Sequence, residues 1–439
     1  MKFLDRIEEV RRLKAFLSYE EGGLACLYGR RRVGKSRLLT EILKGRTDVV
    51  YHEADREDAV LQRERLARDV ATVLEGFADV VYTDWGRLLD RWQKDAPRGS
   101  VLVLDEFPYL VEQTSSLPSI VQRIVDKLRE SGQKIIISGA SQRMMQGLVL
   151  SPNEPLYGRA MEMLNIRPLD FRWLKVAFPK LSPMACLEYY GVWGGVPRYW
   201  EIVERAGGLK EALRDQVFSS LGLLRTEPTY LLQDDLSDSI QATAVLSLIG
   251  QGCERPSEIA SRLQVPQTAL SRPLKRLMEL GLVRKDTPFG ADEKGNKKSL
   301  YKVADPFLAF WYRFVQPRYS NAHYLETASD AKRFKEDYRT YLGGVWEEFL
   351  RERLGASRWW GAGLDHKPME IDIVAESEDK KTLLVGEAKL SLADAESARE
   401  LEELKKKALL LPFASNYANV ECKLFVADSS TSGVETFWG

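Results

Sequence analysis

Eight residues near the start of the chain carry its clearest chemistry. Gly29-Arg30-Arg31-Arg32-Val33-Gly34-Lys35-Ser36 has the spacing G-x-x-x-x-G-K-S. Glycines at those positions let backbone N–H groups turn inward around a polyphosphate. Lys35 then sets an ammonium on the β- and γ-phosphates, and Ser36 presents a hydroxyl to Mg²⁺. The expected ligands are ATP or ADP with Mg²⁺, and Gly29, Arg32, Val33, Gly34, Lys35, Ser36 and Arg37 are the expected contacts.

A second set follows. Val101-Leu102-Val103-Leu104-Asp105-Glu106 is an apolar run ending in two carboxylates. Asp105 is suited to hold magnesium through water, and Glu106 to polarise the attacking water. The run Ile135-Ile136-Ile137-Ser138 ends in Gly139-Ala140-Ser141. Ser138 or Ser141 is placed either to sense the γ-phosphate or simply to end a strand. Arg159 and Arg198, the latter just after Pro197, are candidates to reach phosphate, in the same chain or from a neighbouring subunit; ordinary surface arginines are the other reading. Phe3-Leu4-Asp5-Arg6, just ahead of an amphipathic stretch, is expected to lie over the adenine, with Asp5 and Arg6 as contacts.

A third set lies near the C-terminus. Glu347 falls on a helical stretch, Asp372 in the alternating run Met369 to Val374, and Glu387 and Lys389 in Leu383 to Lys389. Residues two apart on a strand share a face. Three carboxylates and one amine gathered there suit phosphodiester cleavage. Asp372 and Glu387 would hold one or two Mg²⁺, and Lys389 would position or activate water.

These residues need elements to hold them. Five β-prone runs (Leu24 to Tyr28, Val49 to His52, Val101 to Leu104, Ile135 to Ser138, Met161 to Ile166) alternate with amphipathic stretches such as Leu61 to Leu74 and Ile120 to Glu130. That alternation predicts a parallel sheet covered on both faces. In the middle, Arg255 to Leu263 predicts a short helix and Val265 to Thr268 a turn. Ala269 to Leu280 predicts a second helix with Leu270, Leu274, Leu277 and Leu280 inward. Two short strands around a polar tip complete a winged helix-turn-helix pattern. From Arg255 to Lys302 there are 11 Lys or Arg against 5 Asp or Glu. Gln267, Thr268, Ser271, Arg272 and Lys275 are expected on the exposed face, with Lys294, Lys297 and Lys298 in the wing. The two readings are DNA contact and a protein-docking module.

The N-terminal motifs resemble those of the archaeal-type ATPase family, in the signal-transducing, STAND-like branch of the AAA+ superfamily. The resemblance rests on Phe3 to Val10, the Gly29 to Ser36 loop, Leu104-Asp105-Glu106-Phe107, Leu156-Tyr157-Gly158-Arg159 and Gly194-Gly195-Val196-Pro197, over about half of the chain. It implies a P-loop sheet of order 5-1-4-3-2, a helical lid and a nucleotide-dependent switch. Asp5 stands where the family often has glycine. The last hundred or so residues resemble the PD-(D/E)xK nuclease superfamily, in the form fused to such ATPases. That implies a restriction-endonuclease-like α/β domain, either active or retained only for binding.

The expected architecture is multidomain α/β: an ATPase core over 1–168, a helical lid over 169–236, a winged helix over 237–304, a helical linker over 305–341 and a nuclease-like domain over 342–439. The chain has 439 residues, 29% of them charged, and 64 Lys plus Arg balance 64 Asp plus Glu. Zero formal charge excludes a protein that coats nucleic acid over its whole surface, so DNA must meet a local patch. No apolar run approaches a membrane span, no signal peptide is expected, and four scattered cysteines without a CxxC pair fit a reducing cytoplasm. The functional expectation is an ATP-dependent switch coupled to DNA and to a nuclease-like domain. The alternative is a nucleotide-gated regulator or signalling scaffold, with a protein partner or as a homo-oligomer.

Overall fold

A computed structural model of the chain describes residues 2–236, 240–291, 299–319 and 328–428. Contacts divide the chain into two units: Met1–Leu169 with Val196–Glu201 and Thr229–Ser237, and Asp170–Gly195 with Ile202–Pro228 and Asp238–Gly439. No helix among the described residues is long and apolar enough to cross a membrane.

The first unit is built on five strands: β1 (Gly23–Tyr28), β2 (Val49–Glu53), β3 (Val101–Asp105), β4 (Lys134–Gly139) and β5 (Ala160–Asn165). Their order is β2-β3-β4-β1-β5, and every pair is parallel. This is the expected 5-1-4-3-2 arrangement read from the other edge. The inner strands β1, β3 and β4 are buried at every residue, whereas the edge strands β2 and β5 are only partly covered. That is why the inner strands read as unbroken apolar runs. Leu24, Cys26, Leu102, Leu104, Ile135 and Ile137 enter one core with Trp85, Leu88 and Ile124. Ala25, Leu27, Val101, Val103 and Ile136 enter the other, with Leu13, Phe16, Leu38 and Leu39. The parallel register sets Tyr28 beside Gly139 and Glu53 beside Asp105. The loops after β1, β3 and β4 therefore open at one end of the sheet, where ligands of open α/β sheets bind.

In the second unit, helices Ile240–Gly250, Pro256–Leu263 and Ser271–Glu279 precede the antiparallel pair β6 (Val283–Asp286) and β7 (Leu300–Val303). Leu270, Leu274, Leu277 and Leu280 are buried as the pattern required. The last helix starts later than expected, behind a 3-10 turn at Gln267–Leu270. Pro273 explains the shift: it lacks an N–H, so it fits only the first turn of an α-helix. Lys294, Lys297 and Lys298 lie outside the described residues.

A 27-residue helix, Ala328–Leu354, runs straight through the boundary expected at 341–342. It leads into β8 (Ser357–Ala362), β9 (Pro368–Glu376), β10 (Thr382–Lys389) and β11 (Asn419–Val426), a mixed sheet of order β11-β10-β9-β8. β8, β9 and β10 are antiparallel neighbours. β10 and β11 are parallel, joined through helix Asp394–Leu409.

Candidate nucleotide-binding site

The loop after β1 is held in an anion-cradling shape by its backbone. Gly29 has φ 154°, and a Cβ there would come within 2.3 Å of the Ile166 carbonyl oxygen. Gly34 is left-handed at the start of helix Lys35–Leu43, and Arg32 is left-handed too, at φ 69°. Successive N–H groups then face one way, toward the positive end of the helix. Lys35 is 5% exposed, and its Nζ donates to the carbonyls of Gly29 at 2.9 Å and Arg30 at 3.3 Å. Val33 is fully buried beneath the loop.

The end of β3 closes the other side. Ser36 Oγ donates to Asp105 Oδ2 at 2.7 Å. The Tyr51 hydroxyl, from neighbouring β2, donates to the same oxygen at 2.6 Å. The other oxygen, Oδ1, accepts from the Glu106 N–H at 3.0 Å. Asp105 is thus a 1% exposed carboxylate with three donors. Burial, and then the negative charge of Asp105, push the Tyr51 hydroxyl far above its ordinary pKa, so it stays a donor. Glu106 is left-handed at φ 52°, and its Oε2 accepts from the Ala140 N–H beyond β4 at 3.1 Å. Burial raises the pKa of Glu106, against the pull of nearby Lys35. Ser138 is fully buried on the same sheet face as Asp105, and its hydroxyl has no hydrogen-bond partner among the described residues.

Other expected contacts are placed differently from one another. Arg37 and Arg198 both donate to Glu201, at 3.3 and 3.0 Å, so Pro197 and the start of helix Pro197–Ala206 stand beside the helix that follows the loop. Asp5 and Arg6 are both left-handed; a conformation costly for a Cβ accounts for the glycine common at position 5. The Arg6 guanidinium donates to the carbonyls of Val33 at 3.0 Å and Arg167 at 2.6 Å. It therefore ties the chain start to the phosphate loop through backbone. Arg159 lies elsewhere on the sheet. It pairs with Asp126 at 2.9 Å and precedes Ala160, which lies beside Leu24 at the start of β1. The phosphate loop leaves the far end of β1, about 13 Å on at 3.3 Å per residue. Arg159 therefore stands toward the opposite end of β1 from the loop.

The C-terminal set does come together. Asp372 lies one residue from the Ile373–Gly386 pair of β9 and β10, and its Oδ2 accepts from the Ala388 N–H at 3.0 Å. Burial, then Glu347 and Glu387, push the Asp372 carboxyl up to about 7. Burial works against the charge of Lys389, yet Glu387 and Glu400 raise its pKa. Among the described residues, no group of three His, Cys, Asp or Glu side chains is placed to hold a metal ion. Two acids of this set are paired with cations. Glu387 takes Lys389 and Lys407 at 3.4 Å each. Glu347 takes Arg351 at 3.4 Å, and Arg351 also donates to the Asp372 carbonyl at 3.1 Å.

Sequence reading missed Tyr51, Glu201, Arg351, Glu400 and Lys407. Arg351 had a local signal, four residues after Glu347 on one helix. Glu201 had one too, three residues after Arg198 on its helix, although its bond to Arg37 is tertiary; Tyr51, Glu400 and Lys407 meet their partners only through tertiary packing.

On the helical face of the middle module, Gln267, Thr268, Ser271, Arg272 and Lys275 are all exposed. Lys275 lies 3.7 Å from Glu279.

A five-stranded parallel sheet of this order, with a glycine-bounded phosphate loop and a strand-end Asp-Glu pair, defines a P-loop ATPase. Residues 3–201 match a family described as an ATPase domain predominantly from Archaea. Residues 243–285 match the arsR family of bacterial regulatory proteins, and residues 311–401 a family of archaeal and bacterial proteins of unknown function. An uncharacterized protein of Methanocaldococcus jannaschii is 32% identical over 425 residues, covering 93% of this chain and 92% of its own. A Walker-type ATPase of Pyrococcus abyssi is similar in structure, with TM-score 0.53 and 21% identity over 71% of this chain and 96% of that one. The ORC2 protein of Aeropyrum pernix gives TM-score 0.45 and 14% identity, over 73% and 96% of the two chains. This chain belongs to the family of the M. jannaschii protein and carries an archaeal-type ATPase domain over residues 3–201. Nucleotide binding follows from that domain, and the middle module is a helix-turn-helix of the arsR type.

Proposed function

We propose that the chain is a Mg²⁺-dependent ATPase whose nucleotide state governs a DNA-contacting winged helix. The observation that carries this reading is the shared grip of Ser36 and Tyr51 on Asp105, beside a Glu106 anchored at Ala140. A hydroxyl and a buried carboxylate 2.7 Å apart are the hard oxygen donors that Mg²⁺ takes. Ser36 and Asp105 would hold the ion, which when bound supplies charge neutralisation at the phosphates. Lys35 exchanges the Gly29 and Arg30 carbonyls for phosphate oxygens. Glu106, with its raised proton affinity, accepts a hydrogen bond from water and orients it. Ser138 faces the same space with an unused hydroxyl, and Arg198 stands one shared carboxylate from Arg37. Arg159 serves a neighbouring subunit or a structural role.

The exposed face of Gln267, Thr268, Ser271, Arg272 and Lys275 has the donor types that read phosphates and base edges. Duplex retention should differ between ATP and ADP in the wild-type chain. In Lys35→Ala, ATP affinity and that difference should both vanish. Retained ATP affinity in the variant, or identical retention with ATP, ADP and no nucleotide in the wild type, overturns the proposal.

A second reading is phosphodiester cleavage at Glu347, Asp372, Glu387 and Lys389. The raised Asp372 carboxyl favours it, since buried acids forced together by a fold often await a cation. The test is cleavage of single- and double-stranded DNA in Mg²⁺ or Mn²⁺, with and without ATP, against Glu387→Ala. Equal or absent cleavage in both leaves a nucleotide-gated regulator with an inactive nuclease-like domain.

A further inference from the structure

The second unit contains a cavity of about 640 Å³ between the wing strands and helix Ala328–Leu354. Its size falls within the range of small-molecule sites. Six basic and four acidic side chains line it. Most of these are matched. Arg284 donates to Glu348 at 2.5 Å and to Asp286 at 3.1 Å, and Arg351 donates to Glu348 at 3.0 Å. Two cations are held less closely. The Arg313 guanidinium has no hydrogen-bond or ion-pair acceptor among the described residues; it lies 5.9 Å from the ring centre of Tyr341. Lys302 is 18% exposed and reaches Glu254 and Asp286 only at 3.9 Å each.

A half-buried guanidinium without an acceptor, and an ammonium whose two carboxylates stand at 3.9 Å rather than in hydrogen-bond contact, have lost water and gained little direct bonding for it. An incoming anion restores what they lack. Inorganic phosphate alone leaves most of the space unfilled. The remaining wall includes Tyr341 and Phe349, whose ring edges give apolar surface for an organic group to pack on. We infer that this cavity binds a small organic phosphate of nucleotide size, its phosphate taken by Arg313 and Lys302 and its ring by the aromatic wall.

Such a ligand would also reach the wiring between two modules. Arg284 stands on the wing strand β6, and Glu348 joins it to Arg351. Arg351 in turn holds Glu347 and the Asp372 carbonyl.

The experiment uses the full chain carrying Lys35→Ala, which removes the phosphate loop as a binder, and titrates AMP, adenosine and inorganic phosphate by calorimetry. AMP should bind saturably at one site. Adenosine and phosphate should each bind at least about tenfold more weakly. Arg313→Gln and Lys302→Gln, each added singly, should weaken AMP about tenfold or more, at an unchanged melting temperature. Lys302→Gln leaves the Arg313–Tyr341 stack intact, so it serves if the Arg313 variant folds poorly. Absence of saturable AMP binding overturns the inference. AMP binding indifferent to both cavity variants lies elsewhere and overturns it too. Phosphate binding as tightly as AMP refutes a nucleotide-sized ligand. None of these outcomes depends on the ATPase reading of the first unit.

Discussion

Tyr51→Phe removes one hydroxyl from the first unit and leaves the ring in place. That hydroxyl donates at 2.6 Å to Asp105 Oδ2, the oxygen that also takes Ser36 Oγ at 2.7 Å. Hydrogen bonds to charged groups contribute about 1.5–3 kcal/mol. Asp105 is 1% exposed, so water does not replace the lost donor. In the proposed Mg²⁺-loaded state the Ser36 hydroxyl would turn to the ion, leaving Tyr51 the remaining side-chain donor on Oδ2. The substitution should therefore act most strongly in the loaded state. The expected outcome is a fall in kcat of about ten- to a hundredfold, at about 1.4 kcal/mol per factor of ten. The Mg²⁺ concentration for half-maximal turnover should rise about tenfold. Metal-free nucleotide affinity should change less than about threefold, because Tyr51 does not face the phosphates through the loop. Steady-state turnover against Mg²⁺ at saturating ATP, with a thermal melt alongside, provides the assay. A lower melting temperature with kcat and Mg²⁺ dependence within about twofold of wild type would refute the reasoning and leave Tyr51 a packing residue.

Glu106→Gln keeps the acceptor for the Ala140 N–H but loses the base; ATP binding should persist while turnover falls about 10²- to 10⁴-fold, checked by nucleotide titration and phosphate release. Asp372 titrates at about 7 in the fold against about 3.9 in an unfolded chain. The folded state thus holds the extra proton between those values, and this group's contribution to stability falls as pH rises through that window, then stays level. Asp372→Asn should therefore raise the melting temperature at pH values above about 7 and lose that advantage toward about pH 4; an advantage that grows on acidification refutes the burial argument. Arg272→Ala and Lys275→Ala should each weaken duplex binding across sequences and lower the slope of log affinity against log salt by about one. An unchanged slope would mean that this helical face meets a protein instead.

The sequence by itself determined the local elements and the chemistry of single motifs. Short β-branched apolar runs such as Ile135 to Ile137, bounded by turn residues, read as strands buried on both faces, and this one is. Gly29, Gly34, Lys35 and Ser36 announce a phosphate loop because few other backbones need glycine at those two points and a cation between phosphates. The i, i+4 and i+7 leucines of the middle module, Leu270, Leu274 and Leu277, likewise give its inward face without further help. Even there, Pro273 moved the helix start, since a missing N–H outweighs apolar spacing.

What only the tertiary structure decided is which distant groups meet. Tyr51 reaches Asp105 because β2 and β3 are neighbours in parallel register, a fact of strand order that no spacing along the chain contains. The same register carries Arg159 to the far end of the sheet from its own phosphate loop. The acids of the C-terminal cluster were legible as a set, but their partners were not. Lys407 arrives from a helix packed against the sheet, and Arg351 turns inward to grip Glu347 and the Asp372 carbonyl. Charge balance in a buried site depends on every element that borders it, so the protonation of Asp372 could be settled only once helix, hairpin and crossover were in place.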